Sequence, residues 1–133
     1  MKMKKINDNN GRLLAFHISF SSISEEKNFV TSNDLDFQVA SFNLKKETVI
    51  EKHYHPTQER LINTTHEVIV ILDGTIEVSI YDTELNIVDK ITASRGDTVA
   101  LFSGGHGIKV IEDCKLIETK QGPFIEEIDK VRF

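Results

Sequence analysis

The chain has 133 residues, a formal net charge of −5 and 28% charged residues. That length suits one domain around one apolar core, and the acidic balance argues against nucleic acid as the main partner, which a basic patch would normally serve. There is no run of about 18 apolar residues, so no membrane span is expected. Residues 1–10 are basic and polar without the apolar stretch of a secretory signal. The lone Cys114 leaves no internal disulfide and fits a reducing, cytoplasmic setting. Without a secretory route the glycosylation pattern Asn63-Thr64-Thr65 is read as accidental, and Arg95-Gly96-Asp97 as a turn.

In chain order, Asn9-Asn10-Gly11 signals a turn, and residues 12–20 read as a strand. Residues 21–28 are rich in Ser and Glu and form a loop or a short helical turn; 37–44 alternate as a strand. A strand over 48–54 ends at Pro56, which has no N–H to give to a ladder. Residues 56–65 connect it to 67–72 and 75–82, which flank Asp73-Gly74, a hairpin signal. Strands follow at 85–93 and 98–102. Then comes the Gly-rich turn Ser103-Gly104-Gly105-His106-Gly107, and 108–112 is expected to pair with 115–119 across Asp113-Cys114. The tail 120–133 has a possible helical turn at 126–130. About nine short strands at roughly ten-residue spacing, with no long amphipathic helix, predict an all-β sandwich or barrel.

His53 and His55 are one residue apart, so on a strand they share a face. Glu67 opens the β-branched run that follows. Two imidazoles and a carboxylate on neighbouring strands are the beginnings of a metal or acid–base site. An isolated His-x-His is more often a pair of solvated surface histidines. Glu67 and His106 are further residues of ligand type that could join it. His66 should face away from Glu67 and be structural or exposed, and His17 should be a core or interface histidine. Residues 103–107 lack the Gly-Lys-Ser/Thr end of a phosphate loop. Lys120 and Gln121 read equally as contacts to an anionic ligand and as an ordinary surface pair.

This order of residues resembles the cupin superfamily, whose first motif runs His-x-His, a gap, then Glu-x6-Gly, and whose second opens with Gly-Asp and closes on a histidine. Here those positions are His53, His55, Glu67, Gly74, Gly96, Asp97 and His106, with Gly104 at the internal glycine. The chain departs from the pattern in four places. The gap between His55 and Glu67 is longer than in the family, Glu47 stands at a family glycine, Phe102 at a family proline, and Gly104 lies closer to His106. Glu59, at the family's usual distance from His55, is an alternative ligand, but Glu67 alone keeps the spacing to Gly74. The tail, over 118–124 and 129–133, is similar to the end of small single-domain bacterial cupins of the WbuC type.

The resemblance implies a single cupin domain over 1–133, a double-stranded β-helix or jelly-roll-like barrel with its motif-bearing core at about 45–120. It implies a divalent ion (Zn, Fe, Mn or Ni) on His53, His55, Glu67 and His106, with two positions left for water or substrate. The expected activity is that of an isomerase or epimerase-like enzyme acting on a sugar or nucleotide-sugar in cell-surface polysaccharide biosynthesis. His53 and His55 would be catalytic, Lys120 and Gln121 would touch substrate, and the 56–65 loop would set substrate choice. The alternatives are a non-catalytic module for a small carbohydrate or anion, and an Fe(II) dioxygenase. Metal-independent proton transfer by histidine, as in the cupin dTDP-sugar ketoisomerases, also stays open. A cytoplasmic homodimer is expected, because a second copy covers exposed sheet edges.

Overall fold

The structure, a computed structural model, describes residues 3–133. Strand β1 (Lys4–Asn7) pairs antiparallel with β2 (Leu13–Ile18). The Asp8 carboxylate closes the turn between them by accepting from the Asn10 and Arg12 N–H groups at 2.8 and 2.9 Å. A two-stranded ribbon follows, β3 (Lys27–Phe29) with β4 (Ala40–Phe42). The remaining elements are β5 (Glu67–Tyr81), β6 (Ile87–Ser94), β7 (Thr98–Leu101), β8 (Gly105–Lys120) and one helical turn, α1 (Glu126–Asp129). Strands make up 45% of the chain and helix 5%, so the fold is all-β, as its patterning predicts. The main sheet runs β1-β2-β7-β5-β6, with β8 on the other edge of β5, and among the described residues it does not close into a barrel.

Two expectations fail in an instructive way. Residues 67–72 and 75–82 are not the two paired arms of a hairpin, and 108–112 does not pair with 115–119. Each couple is one long strand, β5 and β8, and the two run antiparallel along almost their whole lengths. Both long strands double back at their middles. A straight strand would hold residues 67 and 80 roughly 43 Å apart, at about 3.3 Å per residue. Yet His106, which lies opposite Ile80, reaches the Glu67 side chain at 3.0 Å. The bend falls where the β5–β8 register slips, between Ile71 and Ile76. Gly74 makes it possible: its φ is +83°, and a Cβ there would lie 2.1 Å from the Asp113 carbonyl oxygen.

The bend also resets which residues face inward. Ile69 and Ile71 are buried before it, and Ile76, Val78 and Ile80 after it, so the inward set changes from odd to even numbers. These side chains meet Leu14, Ile91, Ala93, Val99 and Leu101 in one core cluster between the two halves of the doubled sheet. A second cluster, Phe16, Ile18, Ala100 and Phe102, lies on the other face of β2 and β7 under Leu35, Phe37 and Val39. That is why β2 is buried on both faces.

The turn before β7 is pinned by Asp97. Its carboxylate accepts from the backbone N–H of Phe20 at 3.1 Å and of Ser94 at 3.0 Å, and lies 3.1 Å from His17 Nε2. His17 is thus a core histidine with a dedicated partner. Two expected strands are reduced or missing. Of 37–44 only Ala40–Phe42 is strand, and 48–54 forms none. All of 42–65 is exposed and has no regular secondary structure beyond Phe42, so nothing packs on Val49 or Ile50 to fix a pleat.

Replacing Asp97 by Ala strands two backbone donors and the His17 ring. It is expected to lower unfolding free energy by about 3 kcal/mol or more, measured by urea denaturation. Gly74→Val should be comparably damaging through backbone strain and the clash with Asp113, whereas Gly107→Ala, with open space around it, should shift stability by well under about 1 kcal/mol.

Candidate functional site

Because β5 doubles back, its first residue and the first residues of β8 meet at one end of the fold. Glu67 sits there opposite Leu101 of β7 on one side and Lys120 of β8 on the other. His106 comes from the opposite half of the sheet, just past the turn after β7. Gly104 makes that turn possible, since its φ is +73° and a Cβ would lie 2.0 Å from the Tyr81 carbonyl oxygen. His106 Nε2 is 3.0 Å from Glu67 Oε2, and Lys120 Nζ is 3.8 Å from Glu67 Oε1. The Glu67 side chain is only 14% exposed.

The neighbouring His106 has the largest effect on Glu67 and holds its carboxyl below the usual range against the opposing effect of burial, with Lys120 adding to it. Glu67 is therefore a buried, ionised carboxylate. The contact through which His106 acts is the 3.0 Å approach of its Nε2 to Glu67 Oε2.

Glu67 and His106 line a cleft of about 630 Å³, together with Phe102, Tyr81 and the C-terminal residues Asp129 and Phe133. That volume suits a small ligand. The tail is tied down at both ends. Lys120 Nζ bonds Asp129 Oδ2 at 3.0 Å, and the Phe133 ring stands edge-on to Tyr81 with centroids 5.0 Å apart. Asp129 raises the Lys120 pKa above its ordinary value.

The residues singled out from the sequence divide. Glu67 and His106 come together, and Lys120 lies beside them, paired with Glu67 and Asp129. Gln121 instead clamps His66: its Oε1 accepts from the His66 N–H at 2.7 Å and its Nε2 lies 3.1 Å from the ring Nδ1. His66 is buried between the Phe37 and Phe102 rings, and burial pushes its pKa down against the pull of Asp36. His53 and His55 are not brought to Glu67. They sit on the exposed 42–65 segment, ring beside ring at 5.3 Å, and His53 Nδ1 contacts the Glu51 carbonyl at 2.7 Å. Glu59 is exposed on the same segment.

Among the described residues, no three His, Cys, Asp or Glu side chains converge as a metal would need. Asp129 was not anticipated, because nothing in the sequence of the tail marks its position in space. Glu118 also influences Glu67, and reading 105–120 as one strand would have put it on the same face as Lys120. Comparison with family models, with curated proteins and with solved structures finds no match to this chain.

Lys120→Met removes the cation between two carboxylates. The tail over 126–133 is expected to exchange amide hydrogens faster by about tenfold, as a held ion pair is lost, with β5 and β8 unchanged; hydrogen-exchange mass spectrometry reads both.

Proposed function

We propose that the protein is a small-molecule cupin of the metal-dependent kind, with the Glu67–His106 end of the cleft as its reaction centre. One observation carries this reading: a largely buried, ionised carboxylate 3.0 Å from an imidazole, at a cleft of about 630 Å³. The backbone adds support. Gly74, Gly96 and Gly104, the motif glycines, have φ values of +83°, +89° and +73°, and Glu47, standing at a family glycine, has +72°. All four positions use the left-handed region that glycine serves best.

Glu67 and His106 fit a divalent ion as two of its ligands, a hard oxygen beside an imidazole nitrogen. His53 and His55 would be the other two. When bound, the ion would supply Lewis-acid polarisation of a substrate carbonyl. The chain itself keeps Glu67 charged and uses Lys120 and Asp129 to hold the tail against the cleft. It also offers apolar walls in Phe102, Tyr81 and Phe133. Such a site suits a sugar or nucleotide-sugar, with proton movement next to a carbonyl as the reaction.

The second reading needs no metal. The Glu67–His106 contact is by itself a carboxylate–imidazole pair, able to accept and return a proton. A pure binding module would use the same cleft without turnover.

Cobalt(II) titration followed by absorbance decides first. The metal reading expects one ion per chain in the wild type and at least about tenfold weaker binding in Glu67→Gln and in His106→Ala. Equal affinity in all three proteins would reject it. Turnover of a keto-sugar panel by the metal-free protein would support the proton-transfer reading, and ligand-induced stabilisation without turnover the binding module. Stoichiometric iron with oxygen uptake would move the assignment to a dioxygenase.

A further inference from the structure

Two parts of this chain lack partners that their chemistry calls for. The first is the outer edge of β8. The whole of Gly105–Lys120 has β5 as its single strand neighbour among the described residues, which leaves a 16-residue edge open. Residues directly opposite each other across a ladder share a face. Ile108 and Val110 lie opposite Val78 and Ile76, both fully buried, so they belong to the core face. They are nevertheless 43% and 56% exposed. The core is complete up to β5 and unshielded at β8, as though one more strand were due.

The second is the arm over 44–65. It leaves the β3–β4 ribbon at Phe42 and returns at His66, which is fixed between Phe37 and Phe102. Among the described residues its one internal backbone hydrogen bond is Thr48 N–H to the Lys45 carbonyl, at 3.1 Å. It carries Val49, Ile50, Tyr54 and Leu61 into solvent, with Val49 80% and Leu61 93% exposed. A segment that carries exposed apolar side chains without strand pairing, and a long open strand edge, are each features that folded proteins tend to cover.

We infer that the protein is an arm-exchanged dimer. Residues 48–55 of each copy add a strand to the free edge of the partner's β8 and complete the partner's cleft. Every copy carries one arm and one edge, so a two-fold exchange satisfies both and leaves none over, and the assembly closes at two. The arm makes no strand pairing with its own β8, so the same pairing is taken up between chains. An antiparallel register that sets His53 opposite the partner's His106 also sets Val49 opposite the partner's Val110 and Glu51 opposite the partner's Ile108. The alternation then turns Val49, Glu51, His53 and His55 to the core face, and Ile50 and Tyr54 to the outside. The ion site proposed above would be shared, with Glu67 and His106 from one chain and His53 and His55 from the other. That last point rests on the metal reading; the exchange itself does not.

The test keeps the two apart. In a Cys114→Ser background, full-length chains carrying Val49→Cys and chains carrying Val110→Cys are mixed, partly unfolded and refolded together, and oxidised; circular dichroism checks that each folds. Exchange predicts a dimer by analytical ultracentrifugation and a disulfide-linked heterodimer in the mixture. A monomer in solution overturns it. So does a chain with both cysteines that gives only an intrachain disulfide, because the arm then closes on its own edge. Separately, His53→Ala/His55→Ala chains are refolded with Glu67→Gln/His106→Ala chains and titrated with cobalt(II). A shared site predicts binding regained in the mixture, at one ion per mixed dimer, with neither parent binding. Cross-linking without regained cobalt leaves the exchange standing and rejects the shared metal. Cobalt bound one to one by a monomer does the reverse.

Discussion

Everything at the candidate site depends on the place where two strands bend together. Gly74, at φ +83°, lets β5 turn so closely against β8 that the Asp113 carbonyl occupies the space where any side chain would begin. Backbone hydrogen bonds continue along both strands on either side of the bend, so the turn costs little pairing. It folds the sheet over its own apolar face. Ile69 and Ile71 come to face Ile76, Val78 and Ile80, and at about 1.5–3 kcal/mol for each buried large aliphatic side chain this contact is a main source of stability. It also carries the two ends of β5 to one side of the molecule, which is the only reason that Glu67 and His106 can touch.

The site gathers charge where the fold is least complete. Glu67 is buried, and burial alone would favour its neutral form; His106 and Lys120 reverse that. Lys120 is shared with Asp129 of the tail, so the ion pair that supports Glu67 also anchors the wall of the cleft. On the far side, Ile108 and Val110 wait on the core face without cover. Glu67, the tail and the first residues of β8 line one cleft, so the ion pair and the tail's anchorage are linked by position.

Much of this was legible in residue order, and the parts that were not share one cause. Glu67 and His106 stood out because the spacing to Gly74 and the turn before His106 are local features. The turn at Gly96-Asp97 was visible, although the partner of Asp97, His17, distant in sequence, was not. The hairpin reading of 67–82 failed for a specific reason. A two-residue turn at 73–74 and a sharp bend there both place Ile71 and Ile76 on the same face, so side-chain alternation cannot tell them apart. The distinction is whether the two halves pair with each other or with a third strand. Likewise Val49, His53 and His55 alternate as a strand does, but a strand exists only where an edge accepts it.

By itself the sequence determined the all-β class and the glycines at the turns, and it singled out Glu67 and His106 by residue type. These follow from alternation, from the steric freedom of single residues and from side-chain type, all of which act within a few positions. The tertiary structure decided that β5 and β8 run unbroken through their bends, that Gln121 serves His66 and not the cleft, that Asp129 closes on Lys120, and that the arm with His53 and His55 stands clear of its own sheet. Each is a choice among partners far apart in the chain, set by which edges are open and which faces remain to be covered once the core has formed.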